Sequence, residues 1–157
     1  MSVAQDVLVI GYGNPLRGDD GAGWHAAELL AEDDRAAGAR VLALHQLTPE
    51  LAEDVSQARL LVLVDASEKP GVAGAVSSHE LLREPVSGSV FSHHVDPARL
   101  LQLANTLFGQ APPAVQVSIK VADTDAGTEL SAPVGAAMSE LVDTVIEVIN
   151  QHRPASA

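Results

Sequence analysis

Two aspartates of this chain follow short apolar runs and could bind a cation or act as acids and bases. Asp20 ends a glycine-rich loop that begins after residues 7–10, and Asp65 directly follows residues 60–64, the most apolar run. Such runs, bounded by turn residues, are typical of buried parallel strands. Since sites in open α/β sheets form beyond the carboxyl ends of the strands, we expect Asp20 and Asp65 to be neighbours.

A histidine close to two carboxylates would complete a ligand set that suits a borderline divalent metal such as nickel or zinc. The chain has 6 histidines, of which His93 and His94 stand together in a loop before an expected helix. Loops at such positions often carry function. The structural alternative is that Asp19 and Asp20 only cap a helix, because aspartate is favoured at helix N-termini. Spacing alone makes a metal site credible without establishing it.

The glycine-rich loop does not fit a nucleotide site. Leu16 occupies the place where a dinucleotide fingerprint has its third glycine, and no lysine follows in the pattern of a P-loop. Asp19 and Asp20 would repel a pyrophosphate at the start of the following helix.

Composition excludes several classes of protein. The 157 residues carry a formal net charge of −12, which opposes binding to nucleic acid, and no cysteine, which excludes disulfides and thiolate metal sites. We see no signal peptide and no apolar run of about 20 residues, the length that spans a membrane. We therefore expect a cytoplasmic protein with no membrane partner and a single domain over residues 1–157, frayed from about residue 152.

Apolar periodicity and turn residues predict an alternation of strands and helices. The expected strands cover residues 7–10, 40–44, 60–64, 75–78 and 115–121, and the expected helices cover residues 21–32, 48–57, 98–108 and 131–150. This order predicts a three-layer α/β/α sandwich with a mainly parallel twisted sheet of about five strands. The connection between residues 64 and 75 is too short for a crossover helix, so one strand is expected to be antiparallel.

The motifs, taken together, resemble those of the hydrogenase maturation endopeptidases. Residues 7–23, VLVIGYGNPLRGDDGAG, closely resemble the N-terminal signature of that family. The similarity continues in the same order over nearly the whole chain, through residues 45–52, 63–66, 92–94, 97–101 and 129–131.

The resemblance implies a function and a set of site residues. The family removes a short C-terminal extension from the large subunit of nickel-iron hydrogenases after nickel insertion. Carried over, its metal-contacting positions fall on Asp20, Asp65 and His93, with His94 as the alternative histidine. The implied activity is that of an aspartyl-type endopeptidase. The implied partner is the hydrogenase large-subunit precursor, which presents the nickel; another divalent metal could bind the isolated protein.

Two other functions are compatible with parts of the sequence. Peptidyl-tRNA hydrolase also opens with a Gly-x-Gly-Asn-Pro loop, but Asp19, Asp20 and the net charge oppose an RNA substrate. A nickel-binding maturation chaperone that cuts nothing remains an alternative, which composition does not separate from the protease.

For the protease, the sequence leaves open whether the metal polarises a carbonyl or water, or a carboxylate acts as the base.

Overall fold

The computed structural model describes residues 6–81 and 95–152, which form one five-stranded sheet with helices on both faces. The strands are β1 (Val7–Tyr12), β2 (Arg40–Leu44), β3 (Leu60–Ser67), β4 (Val76–Glu80) and β5 (Ala114–Lys120). The helices are α1 (Ala22–Ala31), α2 (Ala52–Gln57), α3 (Pro97–Phe108) and α4 (Ala132–Gln151). A 3-10 turn, Gly18–Gly21, leads directly into α1.

The strands lie in the order β2-β1-β3-β5-β4. β1, β2, β3 and β5 are parallel, whereas β4 runs antiparallel to β5 at the edge. The expected mainly parallel α/β sheet with one antiparallel strand is therefore confirmed. The connection from β3 to β4 contains no helix, so β4 cannot return to the starting edge and must run in the opposite direction.

Strand alternation divides the apolar side chains into two cores, one on each face of the sheet. On the first face, α1 and α4 pack over residues such as Val9, Val62 and Val117. On the second face, α2 and α3 pack over Ile10 and Leu63 among others. The central strands are apolar on both sides because both of their faces are covered by helices.

The capping residues of α3 and the apolar stripe of α4 agree with the helices expected from the sequence. The side chain of Asp96 accepts a hydrogen bond of 2.8 Å from the backbone N–H of Arg99, with Pro97 in the first turn of α3. Gly109 ends the same helix in the left-handed conformation, at φ 80°. The six positions expected to form the apolar stripe of α4 are all buried: Val134, Met138, Leu141, Val142, Val145 and Ile149.

Two strands extend further than their apolar runs. β3 was expected to stop at residue 64, but its pairing with β5 continues through Asp65↔Ser118 to Ser67↔Lys120. β1 likewise continues to Tyr12, which pairs with Leu44 of β2. Backbone hydrogen bonding to neighbouring strands sustains these ends beyond the continuous apolar runs. Asp65 consequently lies within a strand.

Two expectations lie outside the described residues: the loop before α3, expected at residues 84–92, and the tail beyond residue 152. No helix in the described part of the chain is long and apolar enough to cross a membrane.

α1 approaches the sheet closely because Gly23 has no side chain. A Cβ atom at Gly23 would overlap the carbonyl oxygen of Val64 and lie 2.6 Å from that of Tyr12. It would also lie 3.0 Å from the Cα of Asp65. The start of α1 therefore rests on the backbone of β1 and β3 at their carboxyl ends.

We predict that Gly23→Ala lowers the free energy of unfolding by about 1–3 kcal/mol, because backbone atoms must shift to admit a methyl group. The matched control is Gly135→Ala in α4, where a Cβ meets nothing within 4 Å. That exposed helical site should gain stability, by about 0.5–1 kcal/mol, since alanine favours helix. Urea unfolding of both variants measures the difference, and equal stabilities would contradict the close packing.

Candidate active site

Two of the expected site residues, Asp20 and Asp65, lie where β1 and β3 end side by side. From β1 the chain passes through α1 to β2 on one side, whereas from β3 it continues towards β4 and β5 on the other. Connections that leave adjacent parallel strands in opposite directions open a crevice at their carboxyl ends, where ligands of such sheets bind. Tyr12 and Asp65 occupy these two strand ends.

Asp65 is held between its two neighbouring strands. From β5, the Ser118 hydroxyl donates a hydrogen bond of 2.7 Å to Asp65 Oδ1. From β1, the Tyr12 hydroxyl donates one of 3.3 Å to Asp65 Oδ2. The Nε2 group of Gln116 donates in turn to the Tyr12 hydroxyl, also at 3.3 Å. These four polar side chains form a connected group on the face of the sheet that packs against α2 and α3.

Burial governs the protonation of this group. It raises the pKa of Asp65 above its ordinary value, against the opposing effect of hydrogen bonding within the group, in which the bond from Ser118 is the largest contribution. Burial also raises the pKa of Tyr12, and the negative charge of Asp65 raises it further. The Tyr12 hydroxyl therefore keeps its proton at neutral pH and serves as a hydrogen-bond donor to the carboxylate.

Asp20 lies at the other side of the β1 end, in the turn Gly18–Gly21 that contacts β3. Its Oδ2 accepts a hydrogen bond of 2.9 Å from the backbone N–H of Asn14. A Cβ atom at Gly13 would overlap the backbone carbonyl of Asp20. Tyr12 is hydrogen-bonded to Asp65, and Gly13, the next residue, is in close contact with Asp20. The two expected aspartates therefore lie next to the same short stretch of chain.

Asp19 has a different role from Asp20. It is 0% exposed, and its carboxylate accepts four hydrogen bonds. The backbone N–H groups of Ala122, Asp123 and Ser131 donate at 2.8, 2.9 and 2.7 Å, and the Ser131 hydroxyl donates at 2.7 Å. The loop before α1 is thereby tied to the segment before α4. These contacts give Asp19 a structural role in fixing the conformation of the loop.

His93 and His94 lie outside the described residues, so their place in the site stays a prediction. Three residues after His93, Asp96 is the N-cap of α3. Asp96 makes a small further contribution to the raised pKa of Tyr12, after the larger effects of burial and of Asp65. Within residues 6–81 and 95–152, no group of three histidine, aspartate or glutamate side chains could hold a metal ion.

Sequence inspection missed Tyr12, Gln116 and Ser118. A signal for two of them exists in β5, whose sequence AVQVSIK places Gln116 and Ser118 at alternate positions of an apolar strand. Two polar residues on one face of a central strand indicate a polar site at its end. Their contact with Asp65 depends on strand register, which the sequence does not reveal.

Several solved structures are similar to this chain. The hydrogenase maturating endopeptidase HybD from E. coli superposes with a TM-score of 0.77 at 21% identity, covering 94% of this chain and 93% of that one. The [NiFe] hydrogenase maturation protease HybD from Thermococcus kodakarensis gives 0.67 at 26% identity, covering 92% and 99%. The maturation protease HycI from Thermococcus kodakarensis KOD1 gives 0.73 at 20% identity, covering 93% of each chain.

No protein-family model matches the chain, and no curated protein matches it either. The chain has the fold of the hydrogenase maturation endopeptidases, which confirms in three dimensions the resemblance carried by its motifs.

We predict that Asp19→Asn lowers the free energy of unfolding by about 2–3 kcal/mol at pH 7, because an amide cannot accept all four hydrogen bonds. Hydrogen bonding outweighs burial and holds the pKa of Asp19 below its unfolded value of 3.8. Its stabilising contribution is thus fully present above that value and is lost as the pH falls through the lower, folded pKa.

The difference between wild type and Asp19→Asn should therefore shrink in acid. Asp125→Asn, an exposed aspartate in the segment that Asp19 holds, is the matched control and should leave stability unchanged. Urea unfolding from pH 7 down to pH 3 measures both effects. Equal losses in the two variants would contradict the anchoring role of Asp19.

Proposed function

We propose that this chain is an endopeptidase that removes the C-terminal extension of a nickel-iron hydrogenase large-subunit precursor after nickel insertion. The observation that carries the proposal is that Asp20, in a loop similar to that of the family, and Asp65, in β3, both lie next to the end of β1 within the fold of hydrogenase maturation proteases. The proposed setting is the cytoplasm.

The two aspartates and His93 are proposed to recognise nickel as cargo of the substrate. Carboxylate oxygens bind nickel less strongly than thiolates do, so aspartates suit a metal that other ligands already hold. A site of this kind completes the coordination of nickel only when the precursor docks. The enzyme would thereby act on precursor that contains the metal and ignore precursor that lacks it.

The proposed reaction is hydrolysis of one peptide bond. Water adds to the scissile carbonyl carbon, the carbon–nitrogen bond breaks, and the new amine leaves with a proton while the large subunit keeps a free carboxylate. Asp65 is restrained by its neighbouring strands and Asp20 by the backbone of the turn, so their oxygens hold fixed positions beside the bound substrate. Polar groups that are already fixed stabilise the transition state effectively, because they do not have to reorient during the reaction.

Intact-mass measurement of the precursor tests this function. The full chain is incubated with nickel-loaded large-subunit precursor and, separately, with nickel-free precursor. We expect loss of one defined C-terminal peptide from the nickel-loaded precursor alone. An unchanged mass in both samples would contradict proteolysis, and stable binding without cleavage would identify the nickel-binding maturation chaperone. Equal cleavage of both samples would contradict nickel recognition.

We predict that Asp65→Asn slows cleavage of the nickel-loaded precursor by at least about 100-fold, the scale on which a reacting carboxylate contributes. The matched control is Asp34→Asn, an exposed aspartate after α1 that should leave the rate unchanged. The time course of the precursor mass provides both rates. Wild-type cleavage by a folded Asp65→Asn protein would remove Asp65 from the active site.

A further inference from the structure

We infer that Ser118 and Tyr12 are positioning residues that fix the orientation of the Asp65 carboxylate for the reaction. The inference rests on the proposed function, because it gives these residues a task in the same site. Neither residue belongs to the metal-contacting set Asp20, Asp65 and His93. Their role follows from the way in which three adjacent strands meet at Asp65.

The two hydroxyl groups hold the carboxylate from opposite sides. Ser118 is the register partner of Asp65 on β5, and Tyr12 approaches from β1. Ser118 bonds to Oδ1 at 2.7 Å and Tyr12 bonds to Oδ2 at 3.3 Å. Rotation about the last side-chain bond of an aspartate is ordinarily loose. One donor on each oxygen restrains that rotation and selects a single carboxylate plane.

Gln116 sets the direction of the Tyr12 hydroxyl. Because Gln116 Nε2 donates to the Tyr12 oxygen, that oxygen is the acceptor of one bond and its own hydrogen is directed to Asp65. Gln116 lies two residues before Ser118 on the same face of β5. A single strand therefore controls both oxygens of the carboxylate, one directly and one through Tyr12.

The remaining lone pairs of Asp65 are the ones that can act on a substrate. An ionised carboxylate has about four acceptor sites, and the two hydroxyl groups take one on each oxygen. Each oxygen keeps one further site for a metal ion or a water molecule. The hydroxyl groups of Ser118 and Tyr12 therefore leave Asp65 able to bind a metal ion or a water molecule, but only from a limited range of directions.

Ser118 also stands out against its surroundings. It is 9% exposed, on a sheet face whose other members include the buried Leu61 and Leu63. A hydroxyl in such a place is unfavourable unless it is hydrogen-bonded, and Asp65 is the partner that satisfies it. Alanine at position 118 would occupy the same place in the strand, and its side chain has no polar group that needs a hydrogen-bond partner.

The test compares Ser118→Ala with Ser118→Thr, which keeps the hydroxyl, and with Ser77→Ala as the matched control. Ser77 pairs with Ser118 across β4 and β5 but is exposed. Steady-state cleavage of the nickel-loaded precursor gives kcat and KM for each. We expect Ser118→Ala to lower kcat by about 10–100-fold, the usual effect of losing a partner of a metal ligand. KM should stay unchanged, Ser118→Thr should recover most of kcat, and Ser77→Ala should match wild type.

The outcomes separate this inference from the function on which it rests. If the wild-type protein fails to cleave, the proposed function falls before any variant is compared. If wild type cleaves and Ser118→Ala has the same kcat, the positioning role is overturned. Equal loss in Ser118→Ala and Ser118→Thr overturns it too, because the hydroxyl would then be irrelevant. Should Ser118→Ala not fold, Tyr12→Phe decides: a lowered kcat supports the inference, and an unchanged kcat overturns it.

Discussion

The buried carboxylate of Asp19 is the interaction on which the arrangement of the site depends. It joins the loop that follows β1 to the segment that precedes α4, two parts of the chain more than 100 residues apart. Backbone bonds from Gly18 to Gly127 and from Asp19 to Asp123 strengthen the same junction. Charge-assisted hydrogen bonds of this kind are stronger than neutral ones. With the loop held in place, the next residue, Asp20, is presented at the edge of the sheet.

The second constraint is the change from apolar to polar side chains along the sheet. On the face towards α2 and α3, β3 carries Leu61 and Leu63 before Asp65, and β5 carries Ala114 before Gln116 and Ser118. On these two strands the polar side chains follow the apolar ones in the direction of the carboxyl end. The buried part stabilises the fold, and the polar end forms a group whose members satisfy one another. One sheet therefore provides both the stability and the site.

Sequence periodicity was sufficient to predict most of the fold, because its signals are local. The Asp96-Pro97 start and Gly109 end of α3, and the apolar stripe of α4, depend on residues within one helix. Asp20 and Asp65 were predicted to be neighbours from a general rule about strand ends, and both flank the end of β1.

The polar group around Asp65 was not predictable in the same way. Tyr12 and Asp65 are 53 residues apart, and Gln116 is 104 residues from Tyr12. Their contacts arise from the order and register of strands that are distant in the chain, and a shift of one residue would turn each side chain to the other face. The extension of β3 to include Asp65 has the same origin, since it depends on pairing with β5.

The central claim is that the aspartates of this chain contact nickel held by the substrate. Nickel-edge X-ray absorption tests that claim directly. Spectra are recorded for the nickel-loaded precursor alone, for its complex with the wild-type chain before cleavage, and for its complex with the full chain carrying Asp65→Asn. The account predicts that wild type adds oxygen ligands to the nickel and that Asp65→Asn adds fewer. An unchanged nickel spectrum in a wild-type complex that goes on to cleave the precursor would contradict it.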